Sequence, residues 1–208
     1  MFYRPGHERH GLPRNPFNAL VVPRPIGWIS SLAPDGTANL APFSFFNAVS
    51  YSPPQVMFSA GPRPHRKGEP YDPKDSRINP EATGEFVCNM ATWDLRDAMN
   101  LTSEHVPPGV DEFEHAGLTK APAETVAPPR VAESPIHLEC RFLRSVRMKA
   151  WEGYGPNVVI FGEVVGIHID DTVLTDGFVD MAKVRPIGRL GYLDYVTVAD
   201  VWTMPRPD

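Results

Sequence analysis

The sequence predicts a mainly β protein of the barrel or sandwich type, and three observations support this. Runs of β-branched and aromatic residues with alternating polarity recur along most of the 208 residues. Turn-forming residues are frequent, with 24 Pro and 16 Gly. Helical periodicity is confined to a few short stretches. Because 42% of the residues are hydrophobic, we expect a single domain over residues 1–208, with its core at about 18–203.

The predicted strands follow one another along the chain and are joined by turns. A first hairpin joins residues 26–32 to residues 37–43 through Pro34-Asp35-Gly36, where glycine tolerates a positive φ angle. Two longer strands pair further along the chain, at residues 136–150 and 158–169. The other predicted strands are residues 18–22, 55–60, 85–91 and 195–204.

Helices are predicted only between these strands. Asp75-Ser76 is expected to cap a short helix that runs towards Gly84, with Pro80 assigned to its first turn. Residues 93–101 present one apolar face and predict a second short helix. Residues 111–116 predict one more turn, whose acidic side chains we expect on a solvated face. The proline-rich residues 120–135 are expected to form a surface connection.

Charge and composition restrict the partners and the compartment. The formal net charge of −5 is unlike the basic excess of most duplex-binding proteins, so no nucleic acid partner is expected. No stretch is long and apolar enough for a signal peptide or a membrane span, so no membrane association and a cytoplasmic location are expected. Cys88 and Cys140 have no Cys-x-x-Cys neighbour and are expected to be buried, unreactive thiols.

Several common catalytic and metal-binding patterns are absent from the sequence. No G-x-S-x-G, P-loop or G-x-G-x-x-G motif follows a predicted strand, so a serine hydrolase, a P-loop nucleotidase or a Rossmann dehydrogenase is not supported. His7 and His10 have no third ligand in view, so no metal site is expected. His137 and His168 lie in strand patterns and are expected to be structural histidines.

The first candidate ligand site lies across the predicted hairpin. Trp28-Ile29-Ser30-Ser31 faces residues 39–47, so hydroxyls and amides come together with several aromatic rings. A planar heteroaromatic ligand needs flat apolar contacts and a few fixed hydrogen-bonding groups. The same residues equally fit a core strand whose Ser and Asn residues cap turns.

The second candidate is the helix start at Lys74-Asp75-Ser76-Arg77. A lysine, a hydroxyl and the free N–H groups of a helix N-terminus together bind phosphate well. A capped helix with solvated charges is the alternative. Residues 61–73, which precede this motif, form a predicted loop insertion that is polar and locally basic. This loop could hold an anion, or it could be a solvated loop tip.

The two candidates together resemble a known family. The stretch PRPIGWISSLAPDGTANLAPFSFFNAVSYSPPQVMFS, followed in order by PKDSRIN, TGEFVCN, AESPIHLEC and RPIGRLGYLDY, is similar to the flavin reductase-like proteins with an FMN-binding split barrel. The resemblance covers about residues 18–195. It implies a six-stranded Greek-key antiparallel barrel with a few short helices, usually a homodimer, with flavin near the subunit interface.

The resemblance also implies the cofactor and its ligands. FMN is the expected cofactor, FAD is an alternative, and NAD(P)H is the expected co-substrate. Lys74, Asp75 and Ser76 correspond to the family's phosphate motif, and Arg189 corresponds to a residue near the isoalloxazine that the partner subunit could supply. The residues that correspond to contacts with the ring and the ribityl chain are Trp28, Ile29, Ser30, Ser31, Asn39, Ala41, Ser44, Phe45, Phe46, Asn47 and Ser59. Of these, Trp28, Phe45 and Phe46 are expected to be apolar walls.

An NAD(P)H-dependent flavin reductase is therefore the leading expectation, with a separate monooxygenase or another redox protein as partner. Hydride transfer from nicotinamide to flavin N5 requires stacked rings but no dedicated protein acid or nucleophile, so no residue is assigned a catalytic role. Two alternatives remain open. One is a flavoredoxin-like electron carrier that retains FMN without turning over free flavin, and the other is a non-catalytic flavin-binding or storage protein.

Overall fold

The computed structural model describes residues 1–63, 72–107 and 110–207. Its strands are β1 (Arg24–Pro25), β2 (Gly27–Leu32), β3 (Ala38–Phe43), β4 (Phe46–Tyr51), β5 (Pro54–Ala60), β6 (Glu85–Met90), β7 (Lys120–Ala121), β8 (Arg130–Val131), β9 (Ile136–Arg147), β10 (Val158–Ile169), β11 (Leu174–Thr175), β12 (Phe178–Val179), β13 (Ile187–Arg189) and β14 (Tyr195–Thr197). Its helices are α1 (Phe17–Leu20), α2 (Asp75–Thr83), α3 (Arg96–Leu101), α4 (Glu112–His115) and α5 (Met181–Val184), with a 3₁₀ turn at Asp171–Val173.

The main sheet is antiparallel and curls into a barrel. Its seven strands lie in the order β3-β2-β6-β9-β10-β5-β4. The sheet closes on itself because Phe43 of the edge strand β3 packs against Phe58 of β5, with ring centroids 5.1 Å apart. The predicted mainly β barrel is confirmed. It has seven strands rather than six in this sheet because residues 46–51 form β4, which the sequence did not predict.

The barrel interior is filled by alternate residues of the strands. In β5, for example, Val56, Phe58 and Ala60 point inwards and are buried. Complete burial of a side chain such as that of Val56 or Phe58 contributes about 1.5–3 kcal/mol to the stability of the fold. Cys88 and Cys140 lie in this core as free, buried cysteines, as predicted.

A second apolar layer packs outside the barrel, because β2 is buried on both faces. Ile29 points into the barrel core, whereas Trp28 points into an outer cluster that includes Met99 of α3 and Phe113 of α4. The Trp28 indole Nε1 donates to Thr102 Oγ1 over 2.9 Å. The outer layer therefore attaches α3 and α4 to the first hairpin.

The first and the last of the predicted strands differ from the structure. Residues 17–20 form α1 rather than part of a strand, because Asn15 Oδ1 accepts a hydrogen bond from the Phe17 N–H and starts a turn there. The Arg24 guanidinium then binds carbonyl oxygens of this turn. At the other end, β14 stops at Thr197, and residues 198–207 have no regular structure.

Two internal predictions also need correction. Pro80 is the sixth residue of α2, so it does not lie in the first turn. Residues 120–135 are not a purely exposed connection, since they contain β7 and β8 and bury Val126 and Val131.

The predicted loop insertion at residues 61–73 lies largely outside the described residues, which omit 64–71. The longest helix among the described residues is α2, with nine residues. None of the described helices has the length and apolar character needed to cross a membrane.

Candidate functional site

Two cationic side chains, Lys74 and Arg63, lie at the N-terminus of α2. Lys74 is half-buried, with Nζ 5.6 Å from the centroid of the Phe43 ring. Burial and, next, the nearby charge of Arg63 lower the pKa of Lys74. Arg63 forms an ion pair with Asp75, whereas no carboxylate among the described residues pairs with Lys74. No side chain caps the helix, so its first N–H groups and Lys74 present positive charge and free hydrogen-bond donors at this end.

A cavity of about 200 Å³ opens in front of this helix end. Its walls come from β3, from the start of α2, from the segment after α3 and from α4. Five of the expected ligand residues line this cavity, namely Asn39, Ala41, Lys74, Asp75 and Ser76. The fold therefore brings together residues of β3 and α2 that are more than 30 positions apart in the sequence.

Ser76 has a different role from the one its motif suggests. Its side chain is 1% exposed, and its hydroxyl donates to Asn39 Oδ1 over 2.8 Å. Asn39 Nδ2 in turn donates to Glu112 Oε1 over 2.9 Å. The Ser76 hydroxyl is therefore directed into this buried network, and its backbone N–H remains the group able to reach an anion.

Glu112 is a residue of this site that the sequence did not identify. The acidic start of α4 was expected on a solvated face, and for Glu112 this is wrong, because it is 7% exposed. Glu112 Oε2 accepts a second hydrogen bond, from the Leu40 N–H, over 3.0 Å. Burial raises the pKa of Glu112, and the hydrogen bonds from Leu40 and Asn39 oppose this rise. The sequence signal for the burial of Glu112 is its neighbour Phe113, because an apolar residue at this position indicates that the turn faces the core.

The four expected residues of β2 offer little side-chain surface to a ligand. Trp28, Ile29, Ser30 and Ser31 are each 0% exposed. The Trp28 ring is enclosed by the outer core, so the expectation that it forms an apolar wall is wrong. Ser30 Oγ donates to the Pro129 carbonyl over 2.6 Å, and Ser31 Oγ accepts from Asn79 Nδ2 over 3.2 Å. These side chains are occupied by internal contacts.

Residues 44–47, which link β3 to β4 and include the first two residues of β4, form an aromatic segment that is more accessible. Ser44, Phe45 and Phe46 are half-buried, and Asn47 is exposed. The Phe45 carbonyl accepts a hydrogen bond from the Ser59 N–H over 2.8 Å, which fixes this segment to β5. Phe46 packs over Gly27, where a Cβ atom would lie 2.5 Å from its ring. The aromatic segment thus has a fixed position and a partly open surface.

Two arginines add positive charge beside this aromatic segment. The Arg24 guanidinium lies 5.9 Å from the Phe45 ring centroid, and β1 places Arg24 opposite Arg189 of β13. Arg24 is 7% exposed, and its Nε has no hydrogen-bond partner among the described residues. Burial and then the charge of Arg189 lower the pKa of Arg24. Arg189 stacks on Tyr195, with its Cζ 4.3 Å from the ring centroid. This part of the site favours an electron-rich or anionic group.

Comparison with known proteins gives a consistent result. Residues 19–187 match the family model described as "Flavin reductase like domain". The chain is 42% identical to an uncharacterized protein of Aquifex aeolicus over 178 residues, which cover 85% of each protein. It superposes on nitrilotriacetate monooxygenase component B from Bacillus cereus with a TM-score of 0.87 and 26% identity over 98% of each chain. A Shewanella frigidimarina protein with a split barrel domain superposes with a TM-score of 0.76 and 22% identity, over 92% of this chain and 90% of that chain.

Proposed function

The chain belongs to the flavin reductase like domain family, and on that premise we propose that it binds FMN and transfers hydride from NAD(P)H to the flavin. The observation that carries this proposal is the cationic, uncapped start of α2 at a cavity close to an accessible aromatic segment. Such a site selects a ligand that carries a phosphate at one end and a planar ring at the other.

The residues present fit FMN. Lys74, Arg63 and the first N–H groups of α2 would hold the phosphate, with Asp75 keeping Arg63 in place. The groups proposed around the ring and the ribityl chain are Asn39, Ala41, Ser44, Phe45, Phe46, Asn47 and Ser59, together with the backbone of Trp28, Ile29, Ser30 and Ser31. The Arg24 Nε, which lacks a partner among the described residues, and Arg189 supply positive charge that suits the ring carbonyls.

The flavin, when bound, supplies the hydride-accepting atom, so the protein contributes binding and orientation. Asn39 is fixed by Ser76 on one side and by Glu112 on the other, which keeps the cavity wall rigid without an ordered ligand. The half-buried aromatic residues would restrict the access of water to a bound ring. No residue is proposed as a proton donor or nucleophile, because stacked rings alone permit hydride transfer.

The proposed redox partner is a separate monooxygenase. The support is the likeness to nitrilotriacetate monooxygenase component B, which is 26% identical over 98% of this chain. In this role the protein would release reduced flavin to a second enzyme. Retention of the flavin would instead indicate a protein that passes electrons directly to its partner.

The proposal is tested by adding FMN to the purified protein and recording the visible spectrum under argon, before and after NADH or NADPH. We expect perturbation of the flavin spectrum on binding, rapid bleaching with one of the nicotinamides, and turnover of added free flavin. Bound flavin that neither nicotinamide reduces would contradict reductase activity and favour an electron carrier. Absence of any flavin binding would contradict the proposal entirely.

A further inference from the structure

The hairpin that joins β13 to β14 contains a residue in an unusual backbone conformation. The Asp194 N–H donates to the Gly191 carbonyl over 3.0 Å, which closes a turn with Tyr192 and Leu193 at its two central positions. Tyr192 has a φ angle of 56°, whereas the φ angle of Leu193 is not positive. A turn with a positive φ only at its first central position normally carries glycine there, because a Cβ atom strains this conformation. Tyr192 is therefore a bulky residue at a position that favours glycine.

Two other non-glycine residues with a positive φ angle, Asp176 and Arg185, have local explanations. Aspartate adopts the left-handed conformation more readily than most residues do. Arg185 is the C-cap of α5, where this conformation is common. An aromatic residue inside a tight turn has neither explanation. Backbone strain of this kind is typical of ligand-binding sites, where the surrounding structure holds it in place.

The backbone of the strained turn is held by contacts on both sides. The Arg189 guanidinium donates a hydrogen bond to the Tyr192 carbonyl. Gly191 packs closely against α1, since a Cβ atom at Gly191 would lie 2.3 Å from Ala19 Cβ. A shift of the turn that relaxed Tyr192 would therefore break one contact or create a clash at the other.

This turn lies beside the aromatic segment of residues 44–47. The Arg24 guanidinium donates to the Leu190 carbonyl over 2.8 Å and lies 5.9 Å from the Phe45 ring centroid. Tyr192 is 44% exposed, and its ring has no aromatic or hydrogen-bonding contact among the described residues. The described contacts thus fix the backbone of Tyr192 but leave its ring available to a planar ligand.

We propose that the Tyr192 ring contacts the ring system of a bound flavin and limits its release. The inference rests on the proposed function, which has the flavin ring at the aromatic segment. Contact between two planar rings removes both from water, and this gain compensates the strain of the turn. Because the contact involves the ring and not the phosphate, FMN and riboflavin gain equally from it. Tyr192 would thereby determine how long flavin remains on the protein before it passes to a partner.

The experiment compares three variants with the wild-type protein. Tyr192→Gly removes the ring and relieves the strain, whereas Tyr192→Phe keeps an aromatic ring and the strain. The matched control is Asp176→Gly, which relieves a positive φ angle in the exposed turn between β11 and β12. Dissociation constants for FMN and riboflavin are measured by titration calorimetry, and the fluorescence of the bound flavin is recorded. Thermal unfolding without flavin is followed by circular dichroism.

We expect Tyr192→Gly to weaken FMN and riboflavin binding alike, by about three- to tenfold, with Tyr192→Phe and Asp176→Gly within about twofold of the wild type. Without flavin, Tyr192→Gly should unfold at a temperature about 2–4 °C higher, because relief of strain outweighs the added freedom of the unfolded chain. Bound flavin should fluoresce more brightly in Tyr192→Phe, because a phenol ring in contact quenches excited flavin by electron transfer and a benzene ring does not.

Three outcomes would overturn the inference. Unchanged affinities in Tyr192→Gly would show that the ring does not contact flavin, and the proposed flavin site would remain supported. Lower thermal stability of Tyr192→Gly would show that the ring is held by contacts within the protein. A monomeric mass of this variant beside a dimeric wild type, by light scattering, would assign Tyr192 to a subunit interface. If the wild-type protein binds neither FMN nor riboflavin, the proposed function fails first and the inference fails with it.

Discussion

Lys74 combines partial burial with the absence of a carboxylate partner among the described residues. A half-buried ammonium group loses hydration, which is reflected in its lowered pKa. A phosphate in the adjacent cavity would compensate this loss through a charge-assisted interaction. The position of Lys74 thus gives the phosphate assignment a direct test.

We predict that Lys74→Ala weakens FMN binding by about tenfold or more and changes riboflavin binding by less than about twofold. The reason is that only FMN carries the phosphate. Flavin fluorescence titrations at constant ionic strength measure both affinities. Lys149→Ala removes one exposed lysine away from the cavity and is the charge-matched control. Equal losses for FMN and riboflavin would show that Lys74 does not contact the phosphate.

Glu112 gives a prediction for the pH dependence of stability. Its folded-state pKa lies above the ordinary value of 4.5, so the folded protein holds this proton more tightly than the unfolded chain does. The stability contributed by protonated Glu112 is therefore lost as pH rises through 4.5 towards the raised value. Glu112→Gln removes this titration.

We therefore expect the free energy of unfolding of the wild type, relative to Glu112→Gln, to fall as pH rises across this range. Urea unfolding at a series of pH values measures the difference. Glutamine also leaves either the Asn39 amide or the Leu40 N–H without an acceptor, an offset of about 1–3 kcal/mol. This offset shifts the plot of the free energy of unfolding against pH without changing its slope. Parallel curves for the two proteins would contradict the burial-induced shift.

At the scale of elements, Glu139 explains why residues 120–135 are held against the barrel. Its side chain is 0% exposed and accepts hydrogen bonds from the N–H groups of Glu124 and Thr125, over 2.8 and 2.6 Å. Burial opposes ionisation, but these bonds and those from the Thr125 hydroxyl and His168 outweigh it and lower the pKa of Glu139 to about 2. One ionised carboxylate of β9 therefore fixes a segment without long strands.

The histidines of the same region are structural, as predicted. His137 Nε2 lies 2.8 Å from the Val131 carbonyl oxygen, and His168 binds Glu139. Burial is the main cause that lowers the pKa of His137 to about 4. The His137 ring therefore joins β9 to the segment that Glu139 holds, and the His168 ring joins β10 to Glu139 itself.

One glycine of β10 leaves room for an aromatic ring of the barrel core. Gly162 lies at a register shift between β9 and β10, and a Cβ atom there would lie 2.3 Å from Phe86 Cζ. We predict that Gly162→Ala destabilises the protein by about 1–3 kcal/mol because it overpacks the barrel core. Chemical denaturation measures this loss. The cost should be smaller in a Phe86→Leu background, and an equal cost in both backgrounds would show that the Phe86 ring is not the obstacle.

At the scale of the molecule, many large apolar side chains remain on the surface. Among them are Tyr51, Leu193 and Trp202, which are 96%, 73% and 72% exposed. Burial of side chains of this kind in a subunit interface would remove them from water. We predict a homodimer, and light scattering at micromolar concentration measures its mass. A monomeric mass over this range would contradict the prediction and would leave Arg189 to act within its own subunit.

The parts of the fold that depend on local chemistry could be predicted from the sequence. The hairpin of β2 and β3 follows from the alternation of its residues and from the turn at Asp35-Gly36, and α2 follows from a helix start at Lys74 and a stop at Gly84. The β9–β10 pair follows from two long alternating runs joined by a glycine-rich turn. The same local motif at residues 74–76 located the phosphate-binding candidate, because charge and a helix N-terminus are adjacent in the sequence.

The directions of the side chains and the contacts between distant residues could not be predicted in this way. Asn39 and Glu112 are 73 residues apart, and their hydrogen bond determines that Glu112 is buried and that the Ser76 hydroxyl points inwards. The periodicity of β2 does not show that both of its faces are covered. The sequence therefore predicts Trp28 in the site, whereas the structure has it in the core. The physical reason is that burial and hydrogen-bond partners result from packing between elements, and packing is not encoded in any short segment of the chain.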